Sequence, residues 1–437
     1  MAEQSETENG DGAGVWGSAY PPSINAGIPK LGELPAGWSR LRMKDLLDVI
    51  ERPVKLVDSK SYQLVTAKRS RGGIVSRGTL RGDEIKVKQQ FEVRSGDFIL
   101  SNRQIAHGGC GIVPPELDGA VVSGEYTVLH PKPMLDLRFL HYLSHSAYFQ
   151  QICFHSGVGV HVEKLVFRLH DWLNWQIDIP PLREQQRIAE MLADFDSAIE
   201  ATDALSKAKQ DRKRALIDAT FPQLPQSRGY RKVRFKRLGE FVRGVTYNPN
   251  GDLCAEGTGV GICGATQIQD GRLLSDGKLV WVNPQVVADK QRLQSGDFAI
   301  ATSNGSKALV GKAAEIKAVD RPLAVGGFSA LLRPKGDTER QLARHLFQSS
   351  RYKRFLHIQL SGSSIGNLYT SALEEAEFDV PLAKLEPSLC LLDELGEEIE
   401  LLTDKSNTLR QQQRGLMQKL LSGDPKHRCL TKEEVAV

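Results

Sequence analysis

Two stretches of this 437-residue chain carry apolar residues in steps of three and four, the spacing of one helix face. In the first, Ile188, Leu192, Phe195, Ile199 and Leu205 follow the double proline Pro180-Pro181, and no Pro or Gly recurs before Pro222. Proline is tolerated in a first helical turn, where its missing N–H would have no partner anyway. Glu184 then meets the positive end of the helix dipole. The pattern predicts a helix over residues 180–221, about 55 Å long at the usual rise. The second stretch carries Leu392, Leu395, Ile399, Leu402, Ser406, Leu409, Gln413, Leu416 and Leu420, a heptad-like seam with two polar positions. It predicts a helix over 383–421, interrupted at Gly396. Neither helix can bury its stripe alone. The second starts at the far end of the intervening segment, so it is expected to run back antiparallel. Ile188, Leu192, Phe195 and Ile199 would then pack on Leu392, Leu395, Ile399, Leu402, Leu409 and Leu416.

The segments before each helix repeat one another. LPAGWSRLRMKDLLDVI from Leu34 resembles YRKVRFKRLGEFVRGVTY from Tyr230, and the Ser95-Gly96-Asp97-Phe98 block returns two hundred residues later as Ser295-Gly296-Asp297-Phe298. Next come EYTVLHPKP and FSALLRPKG, then helical patterns over Leu135–Gln151 and Thr338–His357. HSGVGVHVEKL and LSGSSIGNLYT follow, and IDIPPL and FDVPLAKL close the two copies. Blocks recurring in one order mark a duplication. The organisation read from it is a tail (1–30), a globular domain (31–179), a long helix (180–221), a linker (222–229), a second globular domain (230–382), a second long helix (383–421) and a tail (422–437). Short alternating strands with Gly/Asp turns and a few helices make the globular parts α+β.

Net charge is only +4, so local clusters carry more information than the whole. Six scattered cysteines without a C-x-x-C pair read as reduced thiols of a cytoplasmic protein. No apolar run approaches the ~18–20 residues that cross a bilayer. Catalytic signatures are near-misses. Gly259-x-Gly261-x-x-Gly264 follows a polar turn and precedes no helix, whereas a dinucleotide site needs both a strand and a helix N-terminus. Gly305–Lys312 has one residue too many for a phosphate loop and ends in Ala313 where Ser or Thr is required, and Asn248-Pro-Asn-Gly251 reads as a turn. His141 and His145 lie one helical turn apart but lack further ligands for zinc. Glu84-x-Lys86 and Glu315-x-Lys317 each supply half of a nuclease site, which keeps a stand-alone nuclease as the alternative function.

What remains is a basic, Gly-interleaved segment holding Lys68, Arg69, Arg71, Arg77 and Arg81, suited to close approach to phosphates. After the Ser-Gly-Asp-Phe blocks come base-reading types: Asn102, Arg103, Gln104 and His107 in one copy, Ser303, Asn304 and Lys307 in the other. Tyr247, closing the opening segment of the second copy, is grouped with them. The copies match in framework and differ here, as two modules reading different sequences would.

These residues, with Leu34-Pro-Ala-Gly-Trp38 and Ile179-Pro-Pro-Leu-Arg-Glu-Gln-Gln-Arg-Ile188, resemble the DNA-specificity subunit of type I restriction–modification systems over about residues 34–421. The resemblance implies two target-recognition domains separated by two long antiparallel helices, and a non-catalytic reader of a bipartite double-stranded DNA target. The helix pair would set the spacer and dock two modification (methyltransferase) subunits, with restriction (helicase-nuclease) subunits joining later. No cofactor or metal would be bound by this chain. S-adenosylmethionine, ATP and Mg would act on the partners. The second copy departs from the family pattern at Pro381-Leu-Ala-Lys-Leu-Glu-Pro387, which lacks the Pro-Pro-Leu-x-Glu-Gln phrase.

Overall fold

The computed structural model describes residues 29–159, 165–222, 228–269, 271–274, 279–361 and 366–422. Both expected tails lie almost wholly outside the described residues, as do most of the linker and Cys429.

The long helices span Leu182–Thr220 and Leu385–Leu421. Pro180 and Pro181 precede the first rather than enter it. The Pro181 carbonyl accepts from the backbone N–H of Glu184 (2.8 Å) and Gln185 (3.0 Å), which makes Pro181 the last residue outside the first turn. Pro387 does sit in the first turn of the second helix. Gly396 does not interrupt that helix. A helical glycine costs only about 1 kcal/mol relative to Ala, and here the missing side chain makes room: a Cβ would stand 2.8 Å from Lys213 Nζ.

The chain forms two compact units, Met1–Ala204 with Thr403–Val437, and Leu205–Leu402. Each contains one globular copy and a stretch of both long helices. In the first unit Gln413 Nε2 donates to Asp196 Oδ1 (2.8 Å) and to the Leu192 carbonyl (3.1 Å), while Ser406 Oγ donates to Asp203 Oδ1 (2.6 Å). In the second, Lys209 Nζ donates to Glu398 Oε2 (2.6 Å). Numbers rise along one helix as they fall along the other, so the pairing in each unit is antiparallel. The two polar seam positions are therefore buried and bonded, which fixes the register where an apolar pair would tolerate slippage.

Ile188, Leu192, Ile199, Leu392, Leu395 and Leu420 are buried on the seam, and Phe195, Ile399, Leu402, Leu409 and Leu416 are partly buried. Leu205 is not on it. It is 48% exposed, because the buried face continues from Ile199 through Thr202 and Ser206, and Leu205 lies about 240° around the helix from Ile199.

The two globular parts share a frame. Each is closed by an antiparallel strand pair, Ser39–Arg42 with Gln176–Ile179 and Tyr230–Arg234 with Glu377–Pro381. Each then runs four strands in one spatial order: Leu47–Val49, Tyr126–Pro131, Phe98–Ser101 and Cys110–Ile112 in the first, Gly239–Arg243, Ser329–Pro334, Phe298–Ala301 and Ala313–Glu315 in the second. The helical blocks resolve into two helices each, Leu137–Ser144 and Ala147–His155, then Asp337–Gln348 and Ser350–Leu360. The break has the same cause in both. Ser146 Oγ accepts from Phe149 N, and Ser349 Oγ from Tyr352 N, so each serine caps a new helix.

The Ser-Gly-Asp-Phe blocks are structural. Gly96 (φ 87°) and Gly296 (φ 91°) take left-handed turns. The buried Asp97 accepts from Arg52 Nη1 (2.6 Å) and Nη2 (3.2 Å), and the buried Asp297 accepts from Arg333 Nε (2.9 Å) and Nη2 (2.7 Å). Arg333 occupies the position of His130 in the other copy, and His130 Nδ1 also lies 3.3 Å from Asp97 Oδ1.

Core volume is traded in the same way. Met43 and Trp172 fill the first unit where Phe235 and Leu373 fill the second, all four buried. The correspondence follows from the backbone: Met43 N donates to the Trp175 carbonyl and Phe235 N to the Ala376 carbonyl, both 3.0–3.1 Å.

In the second unit His345 is wholly buried, with Nε2 2.8 Å from Asp393 Oδ1, which also accepts from Arg344 Nη1 (2.6 Å). Gln341 Nε2 donates to Asp393 Oδ2 (2.8 Å). Burial pushes the imidazole below its ordinary range, against the carboxylate and with help from Lys213 and Arg344. The unfolded chain thus takes up the proton first as pH falls. This contribution to stability is complete above about pH 6.5 and is lost below it, by up to about 1.4 kcal/mol per pH unit. Between pH 7.5 and 5.5 the second unit is expected to lose stability, and His345→Gln to have lower stability at pH 7.5 with a shallower slope. Equal slopes for the two proteins in urea titrations would refute the assignment.

Candidate nucleic-acid interface

In the first unit the sequence candidates gather on two loops. Lys68 N donates to the Gly73 carbonyl (3.0 Å) and closes a turn in which Ser70 (φ 55°) and Arg71 (φ 61°) adopt left-handed backbone. Such conformations cost of order 1 kcal/mol or more each and persist only where neighbours enforce them. The neighbour here is the loop after Phe98–Ser101. Arg71 N donates to the Gly108 carbonyl (3.2 Å), and Arg69 Nε donates to Gln104 Oε1 (2.7 Å). Lys68, Arg69, Arg71, Gln104 and His107 are thereby brought together. Lys68 and Arg69 are exposed, and Arg71, Gln104 and His107 are partly buried.

Asn102 and Arg103 flank this cluster. Asn102 Oδ1 accepts from Thr127 Oγ1 (2.9 Å). The exposed Arg103 donates from Nε to Glu125 Oε2 (2.6 Å) and from Nη2 to Glu125 Oε1 (3.1 Å). This hydrogen bond is the main reason the Glu125 carboxyl is held below its usual range. The pair leaves the outer edge of the guanidinium facing solvent, so Glu125 is a positioning residue that the sequence motif did not signal.

Arg77 and Arg81 lie elsewhere, on the edge strand Ile74–Arg81. Arg77 falls where the register with Ser61–Ala67 slips, between Ser76 and Gly78, a bulge that re-aims its side chain. Arg81 pairs with Asp83 (3.3 Å), Lys88 Nζ donates to the Gly82 carbonyl, and Arg94 pairs with Glu92. These cations are engaged locally.

In the second unit Ser303 and Asn304 form a short ladder with Gly366–Asn367, both partly buried, and Lys307 opens an exposed turn. Tyr247 sits apart. It is partly buried against the small core of Val245, Val260, Ile262, Val282 and Val287, so its ring serves packing.

The rejected motifs have structural explanations. A Cβ at Gly259 would stand 2.2 Å from the Val282 carbonyl, one at Gly261 2.9 Å from Leu323, and one at Gly311 2.4 Å from Leu356, so these glycines permit close packing. Asn248–Gly251 is a turn, with Asp252 N donating to the Asn248 carbonyl. Both carboxylate oxygens of Glu315 are taken by Arg344 (2.5 and 2.7 Å), and Lys317 is paired with Glu400. Glu84 accepts from Arg81 N (2.7 Å). The rings of His141 and His145 lie tilted against each other, 4.7 Å between centroids, both pushed down by burial. Among the described residues no three His, Cys, Asp or Glu side chains gather as a metal site, and no helix is long and apolar enough to cross a membrane. Burial raises the Cys110 thiol to about 12, making it inert.

Residues 35–209 match the family described as "Type I restriction modification DNA specificity domain". The chain is 24% identical over 447 residues to the type I restriction enzyme MjaVIII specificity subunit of Methanocaldococcus jannaschii, covering 89% of this chain and 93% of that one. Along most of its length the chain is thus similar to type I specificity subunits. It is also 27% identical over 160 residues to the StySPI specificity subunit of Salmonella potsdam, a match covering 36% of this chain and about a third (34%) of that protein's length. Two solved structures share the fold: a chain from work on complex assembly and conformational transition of the type I R-M system (TM-score 0.56, 20% identity, 90% of this chain and 100% of that one), and the S subunit from M. genitalium (TM-score 0.54, 14%, 91% and 98%). The α+β assignment thus holds, and the chain shares its fold with these solved structures.

Proposed function

We propose that this chain is the sequence-specific DNA-binding subunit of a type I restriction–modification complex, each globular unit reading one half of a bipartite target. The observation that carries this reading is the recurrence of one four-stranded frame with different side chains at its loops: Arg69, Arg71, Arg103 and Gln104 in one copy, Ser303, Asn304 and Lys307 in the other. Phosphate contacts would position each unit, and base contacts would specify. The antiparallel helices would set the unread spacer and dock two methyltransferase subunits, and helicase-nuclease subunits would join that assembly. The chain itself would bind no cofactor and break no bond, with S-adenosylmethionine, ATP and Mg serving the partners in the cytoplasm.

The test is to express the chain with its methyltransferase partner and map adenine methylation genome-wide. A bipartite motif with a fixed spacer is expected; one continuous motif, or no methylation dependent on this chain, would overturn the reading. Binding to duplex DNA should fall on the order of 10³-fold or more between low and moderate salt, as several neutralised phosphates require. Magnesium-dependent cutting by the isolated chain, lost on Glu84→Gln, would instead support the nuclease alternative.

A further inference from the structure

In both units one tight turn delivers a single exposed side chain beside the candidate reading loop. In the first it joins Val121–Ser123 to Tyr126–Pro131 through Gly124-Glu125, and Asn102 N donates to the Glu125 carbonyl (2.9 Å). In the second it joins Leu323–Val325 to Ser329–Pro334 through Gly326-Gly327-Phe328. There the N–H groups of Thr302 (2.9 Å) and Ser303 (3.0 Å) both donate to the Phe328 carbonyl. Glu125 and Phe328 are thus equivalent positions with unlike side chains.

Phe328 is 73% exposed. Flexibility does not account for that exposure, because its turn is fixed on several sides. Ser329 N donates to the Gly326 carbonyl (2.8 Å), Gly326 N to the Cys263 carbonyl (2.9 Å), and Leu368 N to the Thr302 carbonyl (2.7 Å). Gly244 packs so closely that a Cβ there would stand 2.0 Å from the Gly326 carbonyl oxygen. A second ring, Tyr369, is 69% exposed immediately after the buried Leu368. Leading away from these aromatics, Ser303 and Asn304 pair with Gly366–Asn367 and Lys307 follows in the next turn, which adds two hydrogen-bonding side chains and a cation. Because the backbone of the turn is already fixed, only the ring's own rotamers remain to be ordered when it meets a flat apolar surface. The surface that also matches amide, hydroxyl and ammonium groups is a base edge with its phosphate.

We propose that Phe328 is a base-contacting, specificity-determining residue of the second unit, placing its ring against a base face or a thymine methyl beside the bases met by Ser303 and Asn304. This rests on the DNA-reading function above. At the equivalent place the first unit supplies a charged device, Glu125 holding Arg103, so one turn position sets whether a unit offers apolar or ionic chemistry to its half-site.

The full chain, as wild type, Phe328→Ala and Phe328→Trp, is incubated with a randomised 40-base-pair duplex library, and bound DNA is sequenced. Wild type is expected to enrich two half-sites. Phe328→Ala should relax one or two adjacent positions of one half-site and weaken binding to the wild-type sequence about tenfold, the scale of one base–aromatic contact. Phe328→Trp should restore most of that loss, and thermal unfolding should be unchanged in both. An alanine variant with the wild-type sequence preference and affinity, or one weakened equally on all sequences, would overturn the proposal. Impaired association with the methyltransferase at unaltered sequence preference would do so too. A wild-type chain that enriches nothing would instead defeat the DNA-reading function itself.

Discussion

Replacing Asp297 by Ala is expected to destabilise the second unit by about 3–5 kcal/mol, the usual cost of removing one partner from a buried ion pair. The carboxylate is 2% exposed, accepts two bonds from Arg333, and also accepts from Gln294 N (2.8 Å). Its loss leaves a half-buried guanidinium and an unpaired backbone donor at the turn that fixes the strand Phe298–Ala301. Hydrogen exchange would localise the effect, with protection falling in Phe298–Ala301 and Ser329–Pro334 and holding in Phe98–Ser101. Replacing Asp297 and Arg333 together by leucine should cost far less, because no lone charge remains. If Asp297→Ala lowers stability by under 1 kcal/mol, the block is not the anchor described here.

The second large effect tests the exchanged core. Phe235→Met leaves space among Phe241, Phe347, Tyr352 and Phe378, whose ring centroids lie 4.8–6.2 Å from that of Phe235. Leu373→Trp overfills the same region. Each change alone is expected to cost about 1–3 kcal/mol. Together they reproduce the Met43/Trp172 arrangement of the first unit, and the double variant should recover at least about 1 kcal/mol of the summed loss. Additive costs in chemical unfolding would show that the two sites do not share a cavity.

These effects also mark how far the sequence alone could be read. Repeated phrases with fixed spacing exposed the duplication, since Ser-Gly-Asp-Phe and the Pro-flanked strands keep identical residues at identical backbone needs. The long helices were legible because a stripe at steps of three and four is a direct image of a buried face. Leu205 shows the limit: an apolar residue near the stripe looks like part of it until the angle around the axis is counted, while the true seam residues Thr202 and Ser206 are polar. Gly396 misled for a related reason: helix propensity is local, and the ~1 kcal/mol that one glycine costs is small beside the buried seam on both sides of it, Leu392 and Leu395 before it and Ser406 and Gln413 after it. The Met43/Trp172 exchange was invisible because compensating volumes lie far apart in the chain. At the candidate interface, clustering of charge pointed to Arg69 and Arg71, but partners decide availability. Arg81 and Arg94 have carboxylates beside them, Arg103 is aimed by Glu125, and Tyr247 belongs to a core.

One further consequence concerns synthesis. The second compact unit is an insertion within the first, whose closing helix segment, Thr403 onward, lies about two hundred residues after Ala204. At a translation rate of about 5–20 residues per second, the buried face around Leu192 and Asp196 waits roughly 10–40 s on the ribosome for Gln413 to emerge. The inserted unit, by contrast, is synthesised without interruption. The order of maturation therefore reverses the order of synthesis: the part begun first is finished last, and its unpaired helix face is the nascent surface that a chaperone would meet.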